Sequence, residues 1–343
     1  MKRDLWQYLK QTDKPIVLYG MGNGADKIIK VLESKGISFD GIFASDGFVR
    51  NKVVHGLPLE AYETLKNRFG QMIVLLCFGT HLPEVIDNIK RIANEQELYA
   101  PEVPVIGGGL FDKAYYDEHI EEFDSIYSLL ADESSKKTFN NVIKYKICGK
   151  IDYLFECETD FDEPYESFLK PQSEEIILDL GAYNGDTALE FSKTFPNYEK
   201  IIAVEPDKKT FKKLVANTEN LKTENHNVCI SDFTGVGSFS MNAGRNSAVG
   251  EGEEINVTTV DDLLKGEKVT LIKMDVEGEE ARAITGAEKT ISEHRPKMII
   301  SAYHRTEDFL EIPKKVLEIR EDYKIYMRHH KHISFWDTNI YCI

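Results

Sequence analysis

The sequence predicts an α/β protein made of two consecutive doubly wound modules. Short β-branched runs alternate with amphipathic helical stretches in both halves of the chain, the pattern of parallel sheets covered by helices on both faces. The alternation lapses near Leu110 and restarts at Glu175. The 343 residues also exceed what one hydrophobic core usually organises.

In the first module, helical periodicity over residues 3 to 11 leads through Pro15 into the run IVLYG (16 to 20). A glycine turn follows, and then a helix that ends at Gly36. The runs FDGIFA (39 to 44), MIVLLCFG (72 to 79) and VPVIGG (103 to 108) read as further strands, separated by helices around LEAYETLKNRF and PEVIDNIKRIANE. From 111 to 173 the pattern becomes longer helical stretches and an acidic aromatic segment, a connector expected to pack on the second module. Its Tyr153, Phe155, Tyr165 and Phe168 read as core residues, with a lid over a substrate as the alternative. The second module alternates IILDLG, KIIAVEP, NVCIS, INVTTV, VTLIKMDV and KMIISAY with helices, and closes on YKIYMRHH and NIYCI. The predicted organisation is 1–110, 111–173 and 174–343.

Composition narrows the function classes. The chain is 42% hydrophobic and 29% charged, and no apolar run is long enough to span a bilayer. The N-terminus lacks the uninterrupted apolar stretch of a secretory signal, so a cytoplasmic protein is expected. A net charge of -16, with no dense cluster of Lys and Arg, argues against nucleic acid as a partner. Cys77, Cys148, Cys157, Cys229 and Cys342 form no C-x-x-C pair and read as buried thiols, implying neither disulfides nor zinc. Oligomerisation is left open.

Three pieces of the second module end predicted strands, where open α/β sheets bind ligands. The first is Asp179-Leu180-Gly181-Ala182-Tyr183-Asn184-Gly185-Asp186-Thr187. Gly181 lets backbone approach a ligand, and Asp186 or Thr187 can cap the helix that follows. The second is Ala203-Val204-Glu205-Pro206, whose carboxylate is placed to accept hydrogen bonds from a ribose. Its plain alternative is a surface glutamate. The third is Met274-Asp275-Val276-Glu277-Gly278-Glu279-Glu280, where Asp275 ends a central strand and needs a partner. Glu279 and Glu280 read as charges complementing a helix N-terminus.

These residues resemble the FkbM-type methyltransferases, from about Glu174 to Ile343, through DLGAYNGDT, AVEP, MDVEGEE and the closing YHR…IP…YKIYMRHH…DTNIYCI in the family's order. The resemblance implies a class I methyltransferase fold, with a seven-stranded mixed sheet whose last two strands form an antiparallel hairpin. It also implies S-adenosylmethionine as cofactor and a hydroxyl as acceptor, on a sugar or similar small polar molecule, in surface polysaccharide or secondary metabolite synthesis. By the same likeness Asp179, Gly181, Ala182, Asn184, Gly185 and Thr187 line the methionine and ribose end and Glu205 holds the ribose. Ser231 and Asp232 touch the adenine, and Asp275 stands beside the methyl donor. A hydroxyl needs help to lose its proton, and His304 in Ser301-Ala302-Tyr303-His304-Arg305 is the first choice of base, with a structural histidine as the alternative. A divalent ion on Asp275, Glu277 and His304 is a second-ranked variant, so no metal is assigned. His329, His330 and His332, with Arg328 and Lys331, read as a solvated strand end or a meeting place for an anionic acceptor.

In the first module, Gly20-Met21-Gly22-Asn23-Gly24-Ala25 opens a helix after a strand, with Asp46 at a distance suited to a ribose. This weak second nucleotide site rests on Gly20, Gly22, Gly24 and Asp46. Residues 14 to 109 resemble Rossmann-like sugar-nucleotide and CoA-binding-type domains of bacterial surface-polysaccharide proteins, through GMGNGADKI, GIFASDGFVRNKVVHGLPL and VPVIGGG. Two other functions compete with methyl transfer: an NAD(P)-dependent oxidoreductase run by this module, and a non-catalytic scaffold of polysaccharide assembly.

Overall fold

The computed structural model describes residues 3–45, 52–107, 109–170, 174–240, 248–249 and 253–343, so Asp46 lies outside the described residues. The first part of the chain runs α1 (Leu5–Gln11), β1 (Ile16–Tyr19), α2 (Asn23–Ser34), β2 (Gly41–Phe43), β3 (Val53–Val54), β4 (Leu57–Glu60), α3 (Tyr62–Phe69), β5 (Ile73–Leu76), α4 (Pro83–Glu95) and β6 (Glu97–Tyr99). The strands form one sheet in the order β3-β4-β2-β1-β5-β6, parallel except for the β3–β4 hairpin at its edge. Its core follows the apolar periodicity. Ile86, Ile89 and Ile92 of α4 are buried on one helix face, and Tyr19 stacks on Phe43 with ring centroids 4.5 Å apart. Each such burial contributes about 1.5–3 kcal/mol. Pro83 starts α4 at the position where a missing N–H costs nothing.

Of the strand expected at 103–108, the described residues 103–107 form none. Pro101 and Pro104 interrupt the backbone donors of that stretch, and Glu97–Tyr99, with Leu98 buried, pairs with β5 instead.

Five helices follow: α5 (Lys113–Glu118), α6 (Ile120–Leu129), α7 (Glu133–Cys148), α8 (Asp152–Cys157) and α9 (Glu163–Ser167). They pack on the second module as expected, the Ser135 hydroxyl accepting from Met327 N at 2.9 Å. The four aromatic residues singled out in this segment are packed against neighbours, while Phe161, between α8 and α9, is exposed and lines the cavity at the strand ends. Tyr153 is buried, Phe168 stacks on Tyr326 at 4.2 Å, Tyr165 meets Phe195 edge-on, and Lys90 lies over the ring of Phe155.

The remaining elements are β7 (Ile176–Leu180), α10 (Asp186–Thr194), β8 (Lys200–Val204), α11 (Lys208–Asn217), β9 (Thr223–His226), β10 (Cys229–Ile230), β11 (Gly235–Ser240), β12 (Ala248–Val249), β13 (Glu253–Thr258), α12 (Val260–Leu264), β14 (Leu271–Met274), α13 (Glu280–Thr285), α14 (Glu288–His294), β15 (Lys297–Ser301), α15 (Asp308–Ile319), β16 (Ile325–His329) and β17 (Thr338–Cys342). Seven of these strands form a mixed sheet in the order β16-β17-β15-β14-β7-β8-β9, with β17 antiparallel to both neighbours. This is the seven-stranded arrangement with a closing hairpin that the resemblance implies. The chain reverses direction across the sheet between β7 and β14, the place where such sheets open a ligand crevice. The strands β10 to β13 form a separate four-stranded sheet. All five cysteines are buried and none is in a disulfide. No helix among the described residues is long and apolar enough to cross a membrane.

The two sheets meet through built contacts. Thr80, after β5, and Ile333, after β16, exchange main-chain hydrogen bonds. Ile106 N donates to His304 O at 3.0 Å, and the fully buried ammonium of Lys146 pairs with Glu102 at 3.1 Å.

Candidate active site

A cavity of about 1190 Å³ lies where the strand ends of both sheets face each other. Gly181, Thr187, Glu205, Asp275 and His304 line it from one side, and Asn23, Gly24, Lys27, His81, Val103 and Val105 from the other. The loops after β7 and β8 are neighbours on the same wall, because β7 and β8 pair in register from Ile176 with Lys200 to Leu180 with Val204.

Gly181 is required by its surroundings. Its φ is +79°, and a Cβ would stand 1.8 Å from the carbonyl oxygen of Asp275. The β7 loop therefore lies directly on the β14 loop, which brings Asp275 beside it. Ala182 is fully buried, Asn184 turns to accept from Asp186 N, and Gly185 begins α10 with positive φ. These three shape the turn and do not line the cavity.

Glu205 is 7% exposed. Its two carboxylate oxygens accept from Asp207 N at 2.7 Å and Tyr183 N at 3.0 Å. Burial pushes its pKa up to about 7, although both amides favour the ionised form. The group is poised for a ligand that adds hydrogen-bond donors.

Asp179 is fully buried one strand away, and neither carboxylate oxygen has a hydrogen-bond partner. Its nearest cation is Lys273, opposite it in register, with Nζ at 3.5 Å from Asp179 and 3.7 Å from Asp275. Burial raises the Asp179 pKa against that attraction. Lys273 was missed at the sequence level, as were Tyr183, Glu190 and Tyr303, which also line the cavity.

Asp275 receives the Tyr303 hydroxyl at 3.1 and 3.2 Å. His304 Nε2 stands 3.5 Å from Asp275 Oδ1 and 3.6 Å from Glu277 Oε2, and Nδ1 stands 2.9 Å from Glu280 Oε1. Burial alone would lower the His304 pKa, but Glu280, Asp275 and Glu277 outweigh it and push it up to about 10. The upward shift favours the protonated ring, which runs against the expectation that His304 is a ready base. Asp275 also lines the cavity, its carboxyl held below its ordinary pKa by Lys273 and His304 in spite of burial.

Other expected residues fall elsewhere. Ser231 is fully buried against Glu279, and Asp232 is bound by Arg282 at 2.8 Å, so Val228, Cys229 and Ile230 take the wall position expected of them. Arg328 is 1% exposed and spent on Asp132 and Glu163, and His329 and His330 are buried, so this is no solvated strand end and no anion meets that guanidinium. Only Lys331 and His332 of that stretch reach the cavity. In the first module, a Cβ on Gly24 would stand 2.2 Å from the Cys77 carbonyl oxygen and one on Gly20 2.9 Å from the Phe78 ring. Close approach to the loop after β5 accounts for both, and Gly20 also has φ of +120°. Gly22 has open space around it.

The chain is similar over its whole length to one solved structure, Methyltransferase FkbM from Methylobacillus flagellatus KT, at 22% identity and TM-score 0.72, covering 98% of this chain and 92% of that one. That likeness shows the fold. Precorrin-6y C5,15-methyltransferase from Geobacter metallireducens GS-15 aligns at 13% identity and TM-score 0.33, over 51% of this chain and 82% of that one. Aeropyrum pernix fibrillarin with natively bound S-adenosyl-L-methionine aligns at 15% and 0.33, over 50% and 67%. No curated protein matches the chain. Residues 179–329, which hold Gly181, Glu205, Asp275 and His304, match the family model described as Methyltransferase FkbM domain, and that match supports a methyltransferase.

Proposed function

We propose that the chain is an S-adenosylmethionine-dependent O-methyltransferase acting on a sugar or related small polar hydroxyl acceptor. In this reading residues 174–343 hold the donor, and residues 1–110 with the helices of 111–173 complete the acceptor side. The observation that carries it is Glu205, a buried carboxylate pinned by two backbone amides on the cavity wall next to the Gly181 turn. The residues suit this cofactor. Glu205 offers acceptors to the ribose hydroxyls, Gly181 leaves the backbone open to it, and Val228 and Ile230 give an apolar wall. The buried Asp179 carboxylate, balanced in part by Lys273, and the neighbouring Asp186, Glu190 and Asp275 give acidic surroundings that suit a cationic ligand.

When bound, S-adenosylmethionine supplies a methyl carbon on a good leaving group, so alignment is most of what the protein must add. Asp275, oriented by Tyr303 and His304, faces the space where a hydroxyl would shed its proton. Across the cavity, Trp336 offers an aromatic face, and Asn23, Lys27, His81 and Asp337 offer the mixture of donors and acceptors that a polyhydroxylated ring uses.

Calorimetry tests this directly. S-adenosylhomocysteine is expected to bind, and Glu205→Ala to weaken binding at least about tenfold, the value of a charge-assisted hydrogen bond of about 1.5 kcal/mol or more. Transfer of labelled methyl to a sugar acceptor is expected to vanish in Asp275→Ala. No binding of either the donor or its demethylated product would end the proposal.

A further inference from the structure

Four carboxylates surround one imidazole at the mouth of β15. Asp275 and Glu277 stand at Nε2 of His304, and Glu280 stands at Nδ1. Asp308, on α15, completes the group and spends Oδ2 on the amides of His304 and Arg305. The Lys273 ammonium lies beside Asp275 and is shared with Asp179, and the Lys27 ammonium feels the charge of Glu277.

The separations have a meaning of their own. Two ligand atoms held by one ion in tetrahedral geometry, with bonds near 2.1 Å, lie about 3.4 Å apart. His304 Nε2 is 3.5 Å from Asp275 Oδ1 and 3.6 Å from Glu277 Oε2, which is that spacing. Asp275, Glu280 and His304 offer ligand atoms all within 4.8 Å of one another. Glu280 Oε1 accepts from Val276 N at 2.9 Å, while Oε2, on a fully buried side chain, has no partner. A carboxylate behind the second nitrogen is also how proteins orient a metal-binding histidine.

We propose that His304 Nε2, Asp275 and Glu277 form a site for a divalent first-row transition-metal ion, with Glu280 holding the imidazole from behind. Imidazole with two carboxylates is a ligand set such ions accept. Three protein ligands leave coordination positions open toward the cavity, where Asp275 and Glu277 are each 30% exposed and His304 is 2% exposed. An ion there would acidify a hydroxyl that reaches it, Asp275 then acting as a ligand and no longer as the proton acceptor, and the released proton would pass to cavity water. This use of the ion rests on the methyltransferase reading. Its binding does not.

The test uses the full chain, stripped with chelator and titrated with Mn²⁺ alone by electron paramagnetic resonance. One equivalent is expected to bind to the wild type. Glu277→Gln, a half-exposed change, is expected to weaken it at least about tenfold with an unchanged melting curve, and Glu280→Gln to weaken it roughly 10- to 100-fold. Glu205→Gln, outside the proposed ligand set, is expected to leave Mn²⁺ binding as it is. Absence of binding at millimolar Mn²⁺ overturns the proposal, and so does binding that neither Glu277→Gln nor Asp275→Asn alters. Calorimetry with S-adenosylhomocysteine separates the two claims. Its failure beside a normal Mn²⁺ titration sinks the methyltransferase reading and leaves the ion site standing.

Discussion

If Glu205 holds the donor's ribose as proposed, it makes cofactor affinity a function of pH. Its carboxyl is raised by burial to about 7 from an ordinary 4.5, and only the ionised form offers acceptors to both hydroxyls of a ribose. Raising the pH through 7 therefore strengthens binding, and the gain levels off once the group is fully ionised. With a single titration at 7, about a tenth of the groups are ionised at pH 6 and about nine tenths at pH 8. The apparent dissociation constant of S-adenosylhomocysteine is expected to fall about tenfold over that interval, or roughly 1.4 kcal/mol. The sign for the free protein is opposite. A carboxyl raised above its unfolded pKa contributes stability at low pH that is lost as pH rises through about 7. The assay is calorimetry at several pH values, with Glu205→Gln as the reference that cannot ionise. A wild-type slope equal to that of Glu205→Gln would refute the reasoning, because the pH dependence would then belong to other groups.

Gly181→Ala is expected to abolish binding of the donor and lower the melting temperature, since the added Cβ would stand 1.8 Å from the Asp275 carbonyl oxygen at a φ of +79°. Lys146→Ala should destabilise the fold by about 3–5 kcal/mol in denaturant melts, because it strands the buried Glu102 carboxylate and removes the cation lying 3.8 Å over the Phe335 ring. Gly22→Val is expected to fold normally, having open space around it, and fluorescence titration should show no NAD(P)H binding before or after the change. Binding to the wild type that is lost in the variant would restore the oxidoreductase reading.

What the sequence made legible was local. The apolar run Ile176–Leu180 stopped by Gly181, the carboxylate ending the next strand and Pro83 opening α4 all declare themselves through period and turn chemistry. What stayed hidden depends on strands meeting. Lys273 looks like an outward-facing residue in LIKM until β14 pairs with β7 and sets it opposite Asp179. Glu280 reads as charge at a helix start, yet it is fully buried and bound to Val276 N and faces His304, a residue that only the neighbouring strand brings near. The edge strand Thr223–His226 is polar and half exposed, so it carries no apolar signal. Arg328 looks solvated because its partners, Asp132 and Glu163, lie far earlier in the chain.

The glycines of the first module show how a motif divides between packing and ligand. G-x-G-x-x-A promises a pyrophosphate cradle when its glycines have no other reason to be glycine. Gly20 and Gly24 have one, the Phe78 ring and the Cys77 carbonyl, and Ala25 is fully buried against the sheet. The remaining wall of that turn, Asn23 and Gly24, opens into the same cavity that Glu205 and Asp275 line. The geometry therefore favours one shared site over two separate ones. A dinucleotide on the first module and a donor on the second would compete for this space, whereas an acceptor held by the first module would meet the donor within it.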